Sequence, residues 1–136
     1  MKIASKYFRA LLASLSDITD IVGARIYEEV LPKGYTLPAV TYWLNGGGWT
    51  GPGLQERGVT VRCWATQRGD AHDLFEATRG ELLDADEDDG FKQHTATVGG
   101  VSSPVLVWQD GSEIVLTDSD TEEHVVQAEY RVAMEL

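Results

Sequence analysis

Few residues in this 136-residue chain could act as nucleophiles or as general bases at neutral pH. The cysteine and histidine side chains are Cys63, His72, His94 and His124, and a cluster of carboxylates brought together by the fold stays open as another source of a general base. A thiol or hydroxyl triad needs a histidine beside its nucleophile. The only thiol, Cys63, alternates with Val59 and Val61 on the apolar side of a predicted strand, which favours a buried, inert role. His72 and its neighbour Asp73 form neither a zinc motif nor a general-base dyad. We therefore predict that the chain is not an enzyme and holds no cofactor.

A run of acidic residues, 84–90 (DADEDDG), suggests a calcium loop, so its register was compared with that of an EF-hand. A loop that begins at Asp84 needs glycine at its sixth position and glutamate at its twelfth. The chain has Asp89 and Thr95 there. The run is therefore expected to be a solvated loop rather than an EF-hand. Weak, non-specific binding of a divalent ion stays open as an alternative.

The most unusual loop is 45–53 (NGGGWTGPG), in which five glycines and a proline flank Trp49. A phosphate-binding P-loop needs a lysine after its last glycine, and this loop contains none. We predict a long, mobile hairpin tip. Trp49 is either tucked back on the sheet or held for a partner, because exposed tryptophan is a common interface anchor.

These two loops are the predicted partner interface. Its residues are Asn45, Gly46, Gly47, Gly48, Trp49, Asp84, Asp86, Asp88 and Asp89. No catalytic residue, cofactor-binding residue or metal ligand is predicted.

Charge and length restrict the partners and the organisation. The net charge of −11 should repel nucleic acid and acidic membrane surfaces, because binding them takes Lys and Arg. No stretch approaches the roughly 20 apolar residues of a membrane span. The length predicts one domain over residues 1–136.

The elements that must position these loops centre on residues 58–83, which alternate as a strand and then take a helical pattern. Gly69 ends the strand pattern, and Asp70 is predicted to cap the helix. One face of that helix is apolar, and its members are Ala71, Leu74, Phe75, Thr78 and Leu82. Residues 2–16 predict a second amphipathic helix, followed by a short extra turn over 17–22.

The remaining patterns predict strands. They cover residues 25–30, 39–44, 94–98, 105–108 and 114–117, and a closing strand that points Val126, Ala128, Tyr130, Val132 and Met134 inward. Asp110 and Gly111 form the strongest tight-turn signal and predict a hairpin between the fourth and fifth of these strands.

The order of these segments resembles the tail-completion, or tail-terminator, proteins of long-tailed bacteriophages and gene transfer agents. The resemblance runs along nearly the whole chain and ends in a closing β-hairpin and terminal strand. Its motifs are Leu11-Leu12, residues 22–27 (VGARIY), 37–42 (LPAVTY) and 59–65 (VTVRCWA), followed by the helix from Asp70.

The resemblance implies an α+β fold, with two main helices packed on an antiparallel β-sheet. It also implies a structural virion protein at the head–tail junction, assembled in the host bacterial cytoplasm. Such subunits form a ring, typically a hexamer, that caps the tail-tube protein and meets the head connector. DNA passes through the lumen of that ring without specific binding, which agrees with an acidic chain.

Two alternatives stay open. Within the same class, the chain could be a head-completion or neck protein on the portal side. In a different class, it could be a small metal- or ligand-binding module that uses its acidic loops.

Overall fold

The computed structural model describes residues 4–46, 49–51, 54–83, 91–111, 113–117 and 123–135. For residues 49–51 and 54 it describes the backbone only. The helices of the described ranges are α1 (Ala4–Ser14), α2 (Ser16–Val22) and α3 (Arg68–Leu82). The strands are β1 (Ile26–Glu28), β2 (Ala39–Leu44), β3 (Trp49–Gly51), β4 (Leu54–Ala65), β5 (Lys92–Val98), β6 (Val101–Gln109), β7 (Ile114–Thr117) and β8 (His124–Glu135).

All these strands join one mixed sheet of order β1-β2-β4-β8-β6-β5, in which β3 also pairs with β4 and β7 with β8. The predicted α+β class is confirmed, but the expectation of a purely antiparallel sheet is wrong. β1 runs parallel to β2, with Ile26 opposite Val40. The loop over residues 29–38 carries the chain back, so that β2 starts again at the same end of the sheet as β1.

The two longest strands, β4 and β8, form the centre of the sheet and pair over their full length, from Leu54 opposite Glu135 to Ala65 opposite His124. Their alternate side chains form the core beneath the helices, as the period-2 pattern predicts. All the residues predicted to point inward from the closing strand are buried, and Val59, Val61 and Cys63 of β4 face the same core.

The sheet is curled around α1. This helix packs against both β1 and β5, which lie at opposite ends of the strand order. Phe8 of α1 is fully buried, with its ring 5.6 Å from the ring of Tyr42 on β2. On the other side, the Tyr7 hydroxyl donates to the carbonyl oxygen of Val101 at 3.2 Å. α1 therefore fills the trough that the curled sheet encloses.

The described residues form three helices, not two, because residues 16–22 form a complete helix that contacts α1 and α3. The predicted apolar face of α3 is confirmed, since all five of its members are buried. Its predicted cap is wrong: α3 begins at Arg68, and Asp70 lies within the first turn, where a carboxylate still stabilises the helix dipole. None of the described helices combines the length and the apolar character needed to cross a membrane.

The predicted hairpin at Asp110-Gly111 is wrong. β6 and β7 both pair antiparallel to β8, so they run in the same direction along one of its edges. The register passes from Gln109 opposite Tyr130 to Ile114 opposite Gln127, so between these pairs the edge gains two residues over β8, as at a β-bulge. The hairpin of this region joins β5 to β6 through Gly99 and Gly100. Both glycines have positive φ, 58° and 80°, as a two-residue turn of the primed type requires.

The glycine-rich loop 45–53 is not loop throughout. The backbone of β3 lies inside it and pairs with the start of β4, Trp49 opposite Gln55. β4 consequently begins earlier than the predicted strand at Gly58, which extends the sheet toward the tip.

Candidate functional site

The single thiol is confirmed as a core residue. Cys63 is 1% exposed, and its Sγ lies 3.7 Å from Oγ1 of Thr78 on α3. Burial raises the pKa of this thiol from 9.0 to about 12, because a thiolate would lose its hydration inside the core. Cys63 therefore lacks both the access and the ionisation that a nucleophile needs.

The three histidines lie on different elements. His94 is half-buried on β5, and its Nε2 donates to the carbonyl oxygen of Leu82 at 2.9 Å. Desolvation lowers the pKa of this imidazole, and the charge of Lys92 acts in the same direction. His72 lies on α3, and Nδ1 of His124 is 3.4 Å from Thr117 Oγ1. Among the described residues, no group of three His, Cys, Asp or Glu side chains is placed to hold a metal ion.

The most organised polar surface is the side of the sheet away from the helices, here called the open face. Its central positions belong to the alternate residues of β2, β4 and β8, which the register places side by side. They are Thr41, Trp43, Thr60, Arg62, Trp64, Gln127 and Glu129.

Arg62 is the centre of the open face. Its guanidinium lies over the ring of Trp43, 4.9 Å from the ring centroid, and its Nε donates to Gln127 Oε1 at 2.7 Å. Beside it, Nε1 of Trp64 donates to Thr41 Oγ1 at 2.9 Å. Two indoles and a guanidinium are thus held in fixed orientations on one half-buried surface, the residue types that dominate binding hot spots.

A second set of contacts extends the open face toward the glycine-rich loop. The Thr60 hydroxyl lies 2.8 Å from both carboxylate oxygens of Glu129 and accepts from Asn45 Nδ2 at 3.0 Å. The backbone of Asn45 is held as well, because its N–H donates to Gly58 at 2.7 Å and its carbonyl accepts from Arg57 at 3.0 Å. The glycine-rich loop therefore leaves the sheet at Asn45, whose side chain and backbone are both held by hydrogen bonds.

Two arginines lie among carboxylates on the open face. They are Arg62 on β4 and Arg131 on β8, and Arg131 lies 3.5 Å from Glu56 and 3.7 Å from Asp110. These exposed ion pairs contribute little stability, about 0–1 kcal/mol each. Their effect is to alternate positive and negative side chains across the open face.

Only some of the predicted interface residues lie within the described part of the chain. Asn45 lies at the rim of the open face, and Gly46 beside it is exposed. Trp49 is placed by its backbone alone, in β3. Gly47, Gly48, Asp84, Asp86, Asp88 and Asp89 lie outside the described residues. The interface assignment of these nine positions stays a prediction.

Sequence reasoning did not single out Arg62, Trp43 or Glu129. It assigned only the outward residues of the closing strand, Glu129 among them, to a solvated face. The available signal was the presence of two tryptophans and an arginine at outward positions, where polar residues are the rule. Their convergence depends on the β2–β4–β8 register, which a single sequence does not reveal.

No known family profile matches the chain, and no curated protein matches its sequence. Among solved structures, it is similar to a chain described as "Virion of native gene transfer agent (GTA) particle". That likeness has a TM-score of 0.55 and 12% identity, and it covers 100% of both chains. A second solved chain has 11% identity and a TM-score of 0.49, over 99% of this chain and 98% of the other. At 12% identity, the first likeness shows that the two chains share a fold over their full compared length.

Proposed function

We propose that this protein is a structural component of a phage-like virion, and specifically a ring-forming tail terminator that caps the tail tube and joins it to the head connector. The observation that carries the proposal is the full-length likeness to a chain of a gene transfer agent particle. The ordered sequence motifs point to the same class.

The open face supports a role in protein contacts. Arg62 is held between Trp43 and Gln127, so little side-chain entropy remains to be lost when a partner covers it. The surface is half-buried and rich in the side chains that anchor interfaces. On this proposal, it meets another protein of the tail.

Ring formation and the hexameric state are part of the proposal. Six copies of the 14.9 kDa chain would have a mass of about 90 kDa in a closed cyclic assembly. The acidic excess agrees with a lumen through which DNA passes without being held. A head-completion or neck protein on the portal side is the alternative within this class.

The test is binding of the purified protein to tail tubes, viewed by negative-stain electron microscopy with a gold-labelled tag. We expect label at one end of each tube, and a ring of about 90 kDa by native mass spectrometry. Label at the portal instead would favour the neck protein, and label at neither place would refute a role at the head–tail junction.

The contribution of the open face is tested by Arg62→Ala, with Arg68→Ala on the exposed start of α3 as the matched control. Loss of a hot-spot side chain costs at least about 2 kcal/mol, or roughly a thirtyfold loss of affinity for the tube end or connector. The control should bind as the unchanged chain does. Equal binding by both variants would remove the open face from the contact.

The glycine-rich loop has its own test, which separates the two roles left open for Trp49; on this proposal the indole anchors a partner. Trp49→Ala should weaken assembly more than it lowers the melting temperature. A large fall in melting temperature with normal assembly would instead show that this indole packs on its own sheet.

A further inference from the structure

β7 is an exposed apolar edge strand. Three of its four residues are large and hydrophobic, and Ile114, Val115 and Leu116 are 48%, 37% and 40% exposed. One side of the strand pairs with β8, the only described element with which β7 makes extensive contact. Its other side presents backbone donors and acceptors that no described strand pairs. An apolar edge of this kind is a site at which another chain can add.

β1 and β5, the edges at the two ends of the strand order, are protected in ways that β7 is not. β1 has three residues, and Glu29 directly after it has a left-handed backbone, with φ 68°. β5 begins with Lys92 and carries polar side chains at most positions. Both edges also pack against α1. β7 has no lysine, no proline and no covering helix among the described residues, so its exposure calls for an explanation.

The charges around β7 restrict what can pair with it. Residues 110–123 contain six Asp and Glu and no Lys or Arg. Glu113 precedes β7 and Asp118 follows it in the sequence, so an antiparallel β7–β7 pair between two copies would bring acidic segments together. Like charges placed opposite each other destabilise a strand pair. A twofold β7 contact is therefore disfavoured, and the surface that receives β7 should carry cations.

The chain itself provides such a surface. Residues 1–36 hold five of its 11 Lys and Arg but only four of its 22 Asp and Glu. Within this part, a cleft of about 290 Å³ lies between α1, α2 and the start of β1. Its lining is mostly small or apolar, with Arg9 as the cation, and consists of Arg9, Ala13, Thr19, Gly23, Ala24 and Ile26. An apolar strand with acidic flanks matches this cleft in polarity and in charge.

We propose that β7 of one copy docks in the cleft between α1, α2 and β1 of a second copy, with Arg9 facing the acids that flank the strand. The two surfaces are different parts of the same chain, so the contact is head-to-tail and propagates around a ring. The proposal rests on the proposed role as a ring subunit and names the contact that builds the ring. It also accounts for the exposed β7 and for the uneven distribution of charge.

Site-directed cross-linking tests this contact directly, even when it is transient. Leu116→Cys is placed in one preparation and Ala13→Cys in a second, tagged preparation, and the mixture is oxidised with copper-phenanthroline. The native Cys63 does not interfere because it is buried. The control replaces Leu116→Cys with Thr95→Cys, at an exposed position on β5. We expect the mixed disulfide dimer to form at least ten times faster with Leu116→Cys than with this control.

Charge exchange tests the role of Arg9. Arg9→Glu in the Ala13→Cys copy should slow cross-linking about tenfold. Glu113→Lys with Asp118→Lys in the Leu116→Cys copy should restore it, because opposite charges face each other again. Cross-linking no faster than with the β5 control, or no response to either charge change, would overturn the proposal. Cross-linking of Leu116→Cys to tube protein in place of the second copy would overturn it too.

The same measurements keep this contact separate from the virion role. Cross-linking that fails while gold label still marks the tube end refutes the β7 contact and leaves the proposed function standing. Cross-linking that succeeds with no label on any tail refutes the proposed function and leaves the self-contact standing.

Discussion

Replacing Phe8 with alanine tests whether α1 holds the curled sheet together. Phe8 is fully buried and lies in the trough between the two ends of the sheet, against Tyr42. Truncation removes the apolar contacts of this ring and leaves a cavity that the curled sheet cannot easily fill. Such Phe→Ala changes cost about 3–5 kcal/mol, a large part of the 5–15 kcal/mol that keeps a typical domain folded.

The corresponding change in melting temperature follows from chain length. Unfolding entropy is about 2.1 cal/mol/K per residue, or about 290 cal/mol/K for 136 residues. A loss of about 4 kcal/mol then lowers Tm by about 14 °C. Phe8→Leu, which keeps most of the volume, should cost less than about 1.5 kcal/mol and lower Tm by about 5 °C at most.

The assay is thermal and urea unfolding followed by circular dichroism. Lys6→Ala, on the exposed side of the same helix, is the control and should stay within about 0.5 kcal/mol of the unchanged chain. If Phe8→Ala costs less than about 1 kcal/mol, then α1 does not support the sheet and the account of the curl is refuted.

Four further outcomes are expected. Cys63 should resist thiol reagents until the protein unfolds, because it is buried. In addition, the rise in its pKa from 9.0 to about 12 lowers the thiolate fraction by about a thousandfold. Rapid labelling of the folded protein would contradict this. Since the pKa of His94 is lowered in the folded state, the unfolded chain binds more protons below about pH 6.5, so stability should fall on acidification through that pH. His94→Gln should flatten this dependence in urea titrations at several pH values, and an unchanged slope would exclude the imidazole as its source. Tyr130→Phe should leave stability unchanged or raise it by about 1 kcal/mol, because the buried hydroxyl has no hydrogen-bond partner among the described residues. A clear loss in Tm would show that the hydroxyl does have such a partner. Trp64→Phe should cost about 1–2 kcal/mol by unpairing the buried Thr41 hydroxyl, and adding Thr41→Val should recover most of that loss in a double-mutant cycle.

Patterns within one element predict this fold well. The alternation of β4 and β8 identifies which side chains enter the core, and the spacing on α3 identifies its buried face. β2 lies at its predicted residues, 39–44. These predictions succeed because the preference of a side chain for water or core acts residue by residue along a regular backbone.

Predictions that depended on pairing failed. Asp110-Gly111 has the composition of a hairpin turn, yet the chain continues along the same edge of β8 through a bulge. The hairpin forms instead at Gly99-Gly100, where two positive-φ residues are free to turn. A turn dipeptide permits a reversal, but the partner available to the next strand decides whether one occurs.

The open face shows the same limit for the candidate site. The sequence places Arg62 outward on one strand and Glu129 outward on another, 67 positions later. Only the pairing of β4 with β8, and of β2 with β4, sets these residues and Trp43 side by side. Their contacts are therefore consequences of the register.

The sequence by itself determined the acidic charge, the amphipathic elements, the burial of the thiol and the order of segments. Each of these depends on local composition or on a period along the backbone. The tertiary structure alone decided that β1 pairs parallel to β2, that the sheet curls around α1, and that β7 keeps a free apolar edge. These features depend on contacts between residues that are distant in the chain. The local sequence pattern does not distinguish between the alternative strand pairings, so loop closure and packing determine which of them forms.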